Sequence, residues 1–158
     1  VKEEGKYHKD DADTWVAYTD AHLIKPVEEG TMALWRTSEA TYLAYAKEQN
    51  WMREYFYINP NTMLVDERGN CYKLKETLGL PSNEHVFWME GYSGDFIAFI
   101  YVFEPLSESA KSVSYIEPDG EPFDSWAANW KGETIMHLNI ENLRKNQHLF
   151  KYSPRIIK

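Results

Sequence analysis

The stretch Asp95–Glu117, DFIAFIYVFEPLSESAKSVSYIE, decides the fold class of this chain. Phe96–Phe103 is an unbroken apolar run, dense in aromatic and β-branched residues that suit a pleated, buried surface. Glu104-Pro105 ends it, because proline offers no N–H to a ladder and restricts the residue before it. A polar loop, Ser107–Lys111, leads into Ser112–Glu117, where Val113, Tyr115 and Glu117 alternate with Ser112, Ser114 and Ile116. Glu117-Pro118-Asp119-Gly120 then reads as a turn. Strand, proline-bounded loop, strand is the pattern of an antiparallel sheet. A buried helix is the rival for Phe96–Phe103; the shortness of the run and its wealth of Phe, Ile, Val and Tyr favour the strand.

Side chains alternate across a strand. Phe96, Ala98, Ile100 and Val102 therefore face one way, and Ile97, Phe99, Tyr101 and Phe103 the other. Both rows are apolar, whereas a sandwich strand with one wet face alternates apolar with polar. Left in water, the Ile97 row would form a patch that monomers seldom tolerate. Both rows are thus expected to be covered. Phe123–Trp130 or the C-terminal tail is favoured as the cover over a second copy of the chain.

Outward from this stretch, short runs separated by proline, glycine and polar breaks recur at sheet-like spacing. Trp15–Ile24, Thr31–Arg36, Trp51–Ile58, His85–Met89 and Glu133–Ile140 read as strands. Ala40–Lys47 carries helix formers, yet its Thr, Tyr, Leu and Tyr alternate, and the strand reading is favoured. Thr62–Val65 and Cys71–Leu74 flank Asp66-Glu67-Arg68-Gly69-Asn70, a five-residue hairpin loop with glycine placed for positive φ. Lys75–Glu84 reads as a loop, and Phe123–Trp130 as irregular or one helical turn. In Glu133–Ile140, Thr134, Met136, Leu138 and Ile140 are expected on one face and Ile135 on the other. Asn142–Lys158 reads as a last helical turn and a tail. The expected architecture is all-β: an antiparallel β-sandwich, immunoglobulin-like in outline, with at most one or two short helices. Residues 1–14 read as a mobile leader and 15–158 as a single domain.

Composition narrows the function classes. At 158 residues with 43% hydrophobic and 15% aromatic content, the chain has the material for a core and is not a disordered sequence. A net charge of −8 argues against a nucleic-acid backbone as partner, since phosphates require clustered Lys and Arg. No apolar run reaches the length of a membrane-spanning helix. The single cysteine, Cys71, leaves no internal disulfide, CxxC pair or cysteine-based zinc site; a small buried hydrophobe is its expected role. The chain begins at Val1, as a mature or truncated product would.

Several pieces resemble a β-rich domain of exported Bacteroidota proteins, which in some of them precedes a thioredoxin-like domain. They are Asn59-Pro60-Asn61-Thr62-Met63-Leu64-Val65-Asp66, Gly69-Asn70-Cys71-Tyr72-Lys73-Leu74, Phe103-Glu104-Pro105-Leu106 and Tyr115-Ile116-Glu117. They are similar to that family's strand-loop xTxLVDxxGxxYxL and to its FEPLP and DFIE signatures, over roughly residues 31 to 140. Ser107 stands where the family has a second proline, and Ser114-Tyr115 where it has Asp-Phe. The resemblance implies a β-sandwich exported to the periplasm or cell surface, with a lipid anchor as one form of attachment. One cysteine cannot supply a thioredoxin pair, so that activity is not implied.

Catalytic signatures are missing: there is no GxSxG, HExxH, Walker loop or GxGxxG. His8, His22, His85, His137 and His148 are scattered, with no i,i+4 pair, and Asp10, Asp11 and Asp13 lack the glycine and distal glutamate of a calcium loop. No cofactor and no metal are expected. Glu90, Asp95, Glu104 and Glu117 are the carboxylates from which the fold could assemble a glycosidase pair, the basis of a small-hydrolase reading. Binding is the better class. Trp126 and Trp130 lie in a polar stretch where a core role is less natural, and indoles can stack on sugar rings, although packing over the end of the sandwich is the favoured role even for these two. Trp51 and Trp88 sit in strand patterns and read as core. The expected function is therefore a non-enzymatic interaction or accessory role at the bacterial cell envelope, with a protein or glycan partner. A carbohydrate-binding module using Trp126 and Trp130 is the alternative.

Overall fold

A computed structural model describes residues 7–9, 15–18, 32–48, 53–78, 86–90, 96–120 and 131–150, with side chains described for 32–46, 58–78, 99–120 and 131–150. The strands are β1 (Tyr7–Lys9), β2 (Trp15–Tyr18), β3 (Met32–Arg36), β4 (Thr41–Glu48), β5 (Arg53–Tyr57) and β6 (Met63–Asp66). They continue with β7 (Cys71–Leu78), β8 (Val86–Glu90), β9 (Phe96–Phe103), β10 (Ser112–Ile116) and β11 (Thr134–Asn139). A helix, α1 (Ile140–Lys145), and a 3-10 turn, Asn146–Leu149, follow. Among the described residues the fold is all-β and sandwich-like with one short α-helix, as the sequence led us to expect. One sheet has the order β1-β2-β8-β5, with β2 and β8 parallel; the other has the order β11-β10-β6-β7-β9-β4-β3 and is antiparallel throughout.

The seven-stranded sheet curls into a half-barrel. In a flat sheet, four strand spacings would hold β4 and β10 roughly 19 Å apart. Instead the rings of Tyr45 on β4 and Tyr115 on β10 are 6.1 Å apart, and the Tyr101 and Tyr115 hydroxyls, on strands three spacings apart, are hydrogen-bonded at 3.0 Å. The concave core gathers Leu34, Leu43, Leu64, Phe99, Phe103 and Val113 around those tyrosines.

β9 runs over the expected residues, and its two rows enter two different cores. Phe99, Tyr101 and Phe103 belong to the concave core. Ile100 and Val102 join Ala33, Trp35, Tyr42 and Ala44 in a second cluster on the convex face. There the cover is intramolecular: Phe150 is buried in that cluster, edge-on to Trp35 at 6.5 Å, with Leu149 packed beside it. The C-terminal segment thus covers the Ile100 row, while the curl itself buries the Phe99 row. Side chains of Phe96, Ile97 and Ala98 lie outside the described set, as does the alternative cover, residues 123–130.

Four expectations are revised. Tyr7–Lys9, placed in the leader, pairs with β2, from Tyr7↔Ala17 to Lys9↔Trp15. β7 does not stop at Leu74 but continues to Leu78 against β9; the register slips between Leu74 and Glu76, and this bulge disrupts the alternation that marks a strand. In β11, a second slip sets Ile135 opposite Tyr115 and Leu138 opposite Val113. Ile135 and Leu138 therefore both pack on the core, while Met136 stays exposed and His137 takes φ 57°, its N–H donating to Ser114 Oγ at 3.2 Å. Cys71 is exposed rather than buried, because Leu64 and Tyr72 are the residues of this hairpin that face inward. The hairpin itself closes as expected, with Gly69 at φ 85°, although Asp66 belongs to β6 and the loop is Glu67–Asn70.

At the Glu117 end of β10, buried Asn59 donates to Pro118 O and Asp119 O and accepts from Asn61 N. Gly132 lies flat against the same segment: a Cβ there would stand 1.9 Å from Glu117 O. Gly132→Ala is expected to destabilise by about 3 kcal/mol through backbone displacement. Phe99→Asp, which buries an unpaired carboxylate, is expected to cost roughly 4 kcal/mol or more. Shifts in urea midpoint check both; a Phe99→Asp protein of near wild-type stability would remove β9 from the centre of the fold.

Candidate functional site

The hairpin loop, the segment 104–111 and the turn 37–40 meet at one end of the half-barrel. Phe103 ends β9 where Thr41 begins β4, so Glu104–Lys111 must cross from β9 to β10 over the strand ends. A crossing loop carries backbone N–H groups with no ladder to join, and these need partners. Side chains supply them. Thr41 Oγ1 accepts from Leu106 N at 2.9 Å, Tyr72 Oη from Ser107 N at 3.2 Å, and the Glu67 carboxylate from Lys111 N and Ser112 N. Glu104 turns back on β7, its Oε1 accepting from Lys73 N at 2.8 Å while its own N–H donates to Lys73 O. Arg36 Nη2 donates to Ser107 O at 2.6 Å.

Asp66 anchors this arrangement. Its Oδ1 accepts from the N–H groups of Arg68 and Asn70, and its Oδ2 accepts from Asn70 Nδ2 and, at 2.7 Å, from the Tyr72 hydroxyl. Burial pushes the Asp66 carboxyl up, but the bonds from Tyr72 and Asn70, with those from the Asn70 and Arg68 backbone, outweigh it and hold the group at about 2. Burial and the bond to Asp66 push Tyr72 up. Glu67 is held below its ordinary value by backbone N–H groups, its own first and then those of Lys111 and Ser112.

Beside this clamp lies an open cleft of about 570 Å³ lined by Arg36, Thr37, Ser38, Pro105, Leu106, Ser107 and Glu108. Leu106 is its buried floor, while Ser38 and Glu108 are exposed at the rim. Among the described residues Arg36 has no carboxylate partner, so the wall presents a guanidinium, hydroxyls and one carboxylate. The arrangement can hold a polar group; it does not pair an acid with a nucleophile.

A second group of titratable residues lies inside the curl. The Tyr45 hydroxyl donates to Glu133 Oε2 at 3.2 Å, and Glu117 is buried nearby, its N–H on Glu133 O. Burial pushes both Tyr101 and Tyr115 up, so these phenols stay protonated.

The expected candidates fare unevenly. Trp126, Trp130 and Asp95 lie outside the described residues, as does the Glu90 side chain. Glu104 is exposed on Lys73 N and Glu117 is buried among the tyrosines, so these two do not form a pair. Among the described residues no group of His, Cys, Asp and Glu is placed to hold a metal ion. Sequence reading missed Arg36, Asp66, Glu67, Tyr72 and Ser107 as one unit. Asp66 three residues before Gly69 was its single local signal; the contacts of Arg36 and Tyr72 with Ser107 span 71 and 35 residues. No family model, no curated protein and no solved structure matches the chain.

The Asp66 carboxyl, whose ordinary value is 3.8, is depressed in the folded chain. Its stabilising effect is therefore complete above about pH 4 and lost as pH falls toward 2. The urea midpoint of the wild type should fall more steeply between pH 4 and pH 2 than that of Asp66→Asn. Parallel profiles for the two proteins would show that this carboxylate is not the anchor.

Proposed function

We propose that this chain is a non-enzymatic interaction domain whose contact site is the cleft of Arg36, Ser38, Ser107 and Glu108. The observation that carries this reading is the way the acids at that end are engaged. Asp66 and Glu67 accept backbone N–H groups of the loops and Glu104 accepts the Lys73 N–H of β7, which ties the loops down and leaves the three carboxylates little freedom for acid–base work. A loop pinned in this way is organised before it meets a partner, which lowers the ordering cost of binding. Export and an accessory role at the bacterial cell envelope are proposed on the resemblance in the hairpin, FEPL and Tyr115-Ile116-Glu117 segments.

Photo-crosslinking in the producing cell tests this. A benzophenone amino acid at Ser38 or Glu108 is expected to give discrete adducts, and one at exposed Met136 on β11, none. Labelling at Met136 alone would overturn the cleft. Turnover of chromogenic glycosides or esters that is lost in Glu117→Gln would overturn the non-enzymatic reading. Glycan quenching of tryptophan fluorescence that disappears in Trp126→Ala with Trp130→Ala would replace it with the carbohydrate-binding one.

A further inference from the structure

Among the described residues β3 ends the seven-stranded order, and side chains meet the carbonyls of its outer edge. In an antiparallel pair the residues alternate between those that exchange hydrogen bonds with the partner strand and those that point away from it. Met32 and Leu34 share one parity, and the carbonyls of both are met from outside the sheet. Met32 O accepts from Asn146 Nδ2 at 2.9 Å, and Leu34 O accepts from Gln147 Nε2 at 2.6 Å. Two side-chain amides on consecutive residues thus stand where a neighbouring strand would place its backbone N–H groups.

The chain reaches this position by crossing the sheet edge. Ile140 and Leu143 of α1 are buried in the concave core, and Leu149 and Phe150 pack on the convex one. Asn146 and Gln147 lie at the crossing. The segment holds β3 by two side-chain hydrogen bonds and the Phe150 ring, with no ladder. α1 keeps its own anchors, Ile140 and Leu143, whether or not the turn stays in place.

The geometry points to a guarded docking edge: the Asn146–Phe150 turn occludes β3, and when it lifts, β3 of a second copy of this chain pairs there antiparallel. Any strand added at this edge must be apolar on both faces, because Met32 and Leu34 face one core and Ala33 and Trp35 the other. β3 meets that requirement itself. An isologous pair about Leu34 sets Leu34 against Leu34 and Met32 against Arg36. It also sets Trp35, the largest side chain of the strand, against Ala33, the smallest, on the convex face. The guard lowers the apparent affinity of this pairing by the fraction of time the edge is open.

Asn146→Ala with Gln147→Ala removes both edge bonds and leaves α1 its C-cap, which uses the Asn146 backbone N–H. Sedimentation equilibrium is expected to show the dimer dissociation constant falling by about tenfold relative to the wild type. Hydrogen exchange in the dimer then shows which strand pairs. Amides of Met32, Leu34 and Arg36 should gain protection, and those of Ala33 and Trp35, which face β4, should not change. Gln147→Ala alone gives a smaller shift in the same direction and serves if the double variant folds poorly. A folded variant that stays as monomeric as the wild type overturns the proposal, and so does a dimer whose β3 amides show no alternating protection.

Discussion

The seven-stranded sheet answers one constraint: β9 is apolar on both sides. A strand with a single apolar row is satisfied by one core and tolerates water on its other face. Phe99, Tyr101 and Phe103 on one side and Ile100 and Val102 on the other leave no such face. The sheet responds by curling until strands at positions two and six of its order touch through Tyr115 and Tyr45. The convex side, which curvature cannot cover, is closed by Leu149 and Phe150. Curl and cover are two answers to a single excess of apolar surface.

Burying so many aromatic rings brings polar atoms inside with them, and their pairing gives the concave core its specificity. The Tyr101 and Tyr115 hydroxyls satisfy each other, and the Tyr45 hydroxyl reaches outward to Glu133. Unpaired, each would cost about 1–3 kcal/mol. The same economy appears in the loops, where Asp66, Glu67, Glu104 and Thr41 take backbone N–H groups that no strand meets. The loops that line the cleft at that end are therefore held through their own backbone N–H groups.

The sequence was legible where structure is local. β9, the Gly69 turn and the proline stop at Pro105 depend on neighbours within a few residues; the bounds of β9 hold, and the hairpin closes where expected with its loop one residue shorter. Legibility failed where a bulge resets the period: Lys75-Glu76-Thr77 does not alternate, yet it pairs with β9, and Ile135 and Leu138 share a face only because His137 adopts a left-handed backbone. The candidate site was illegible for a different reason. No pattern within a few residues connects Arg36 or Tyr72 to Ser107; the pairing of β3, β4 and β7 around the end of β9 brings them together. Of the acids that drew attention as potential catalysts, Glu104 accepts the Lys73 N–H and Glu117 is buried beside the tyrosines.

The covering of β3 also has a consequence in time. Synthesis runs from the N-terminus, and the bonds that close the Met32 and Leu34 carbonyls come from residues 114 and 113 positions later. On a ribosome, the sheet can assemble as far as β9 and β10 while one long edge and the Trp35 face still lack their cover. Until residues 146–150 emerge, a nascent sheet carries an unguarded β3 edge that a neighbouring chain on the same messenger can meet. Deleting residues 146–150 would leave the strands of the sheet in place and make that interval permanent.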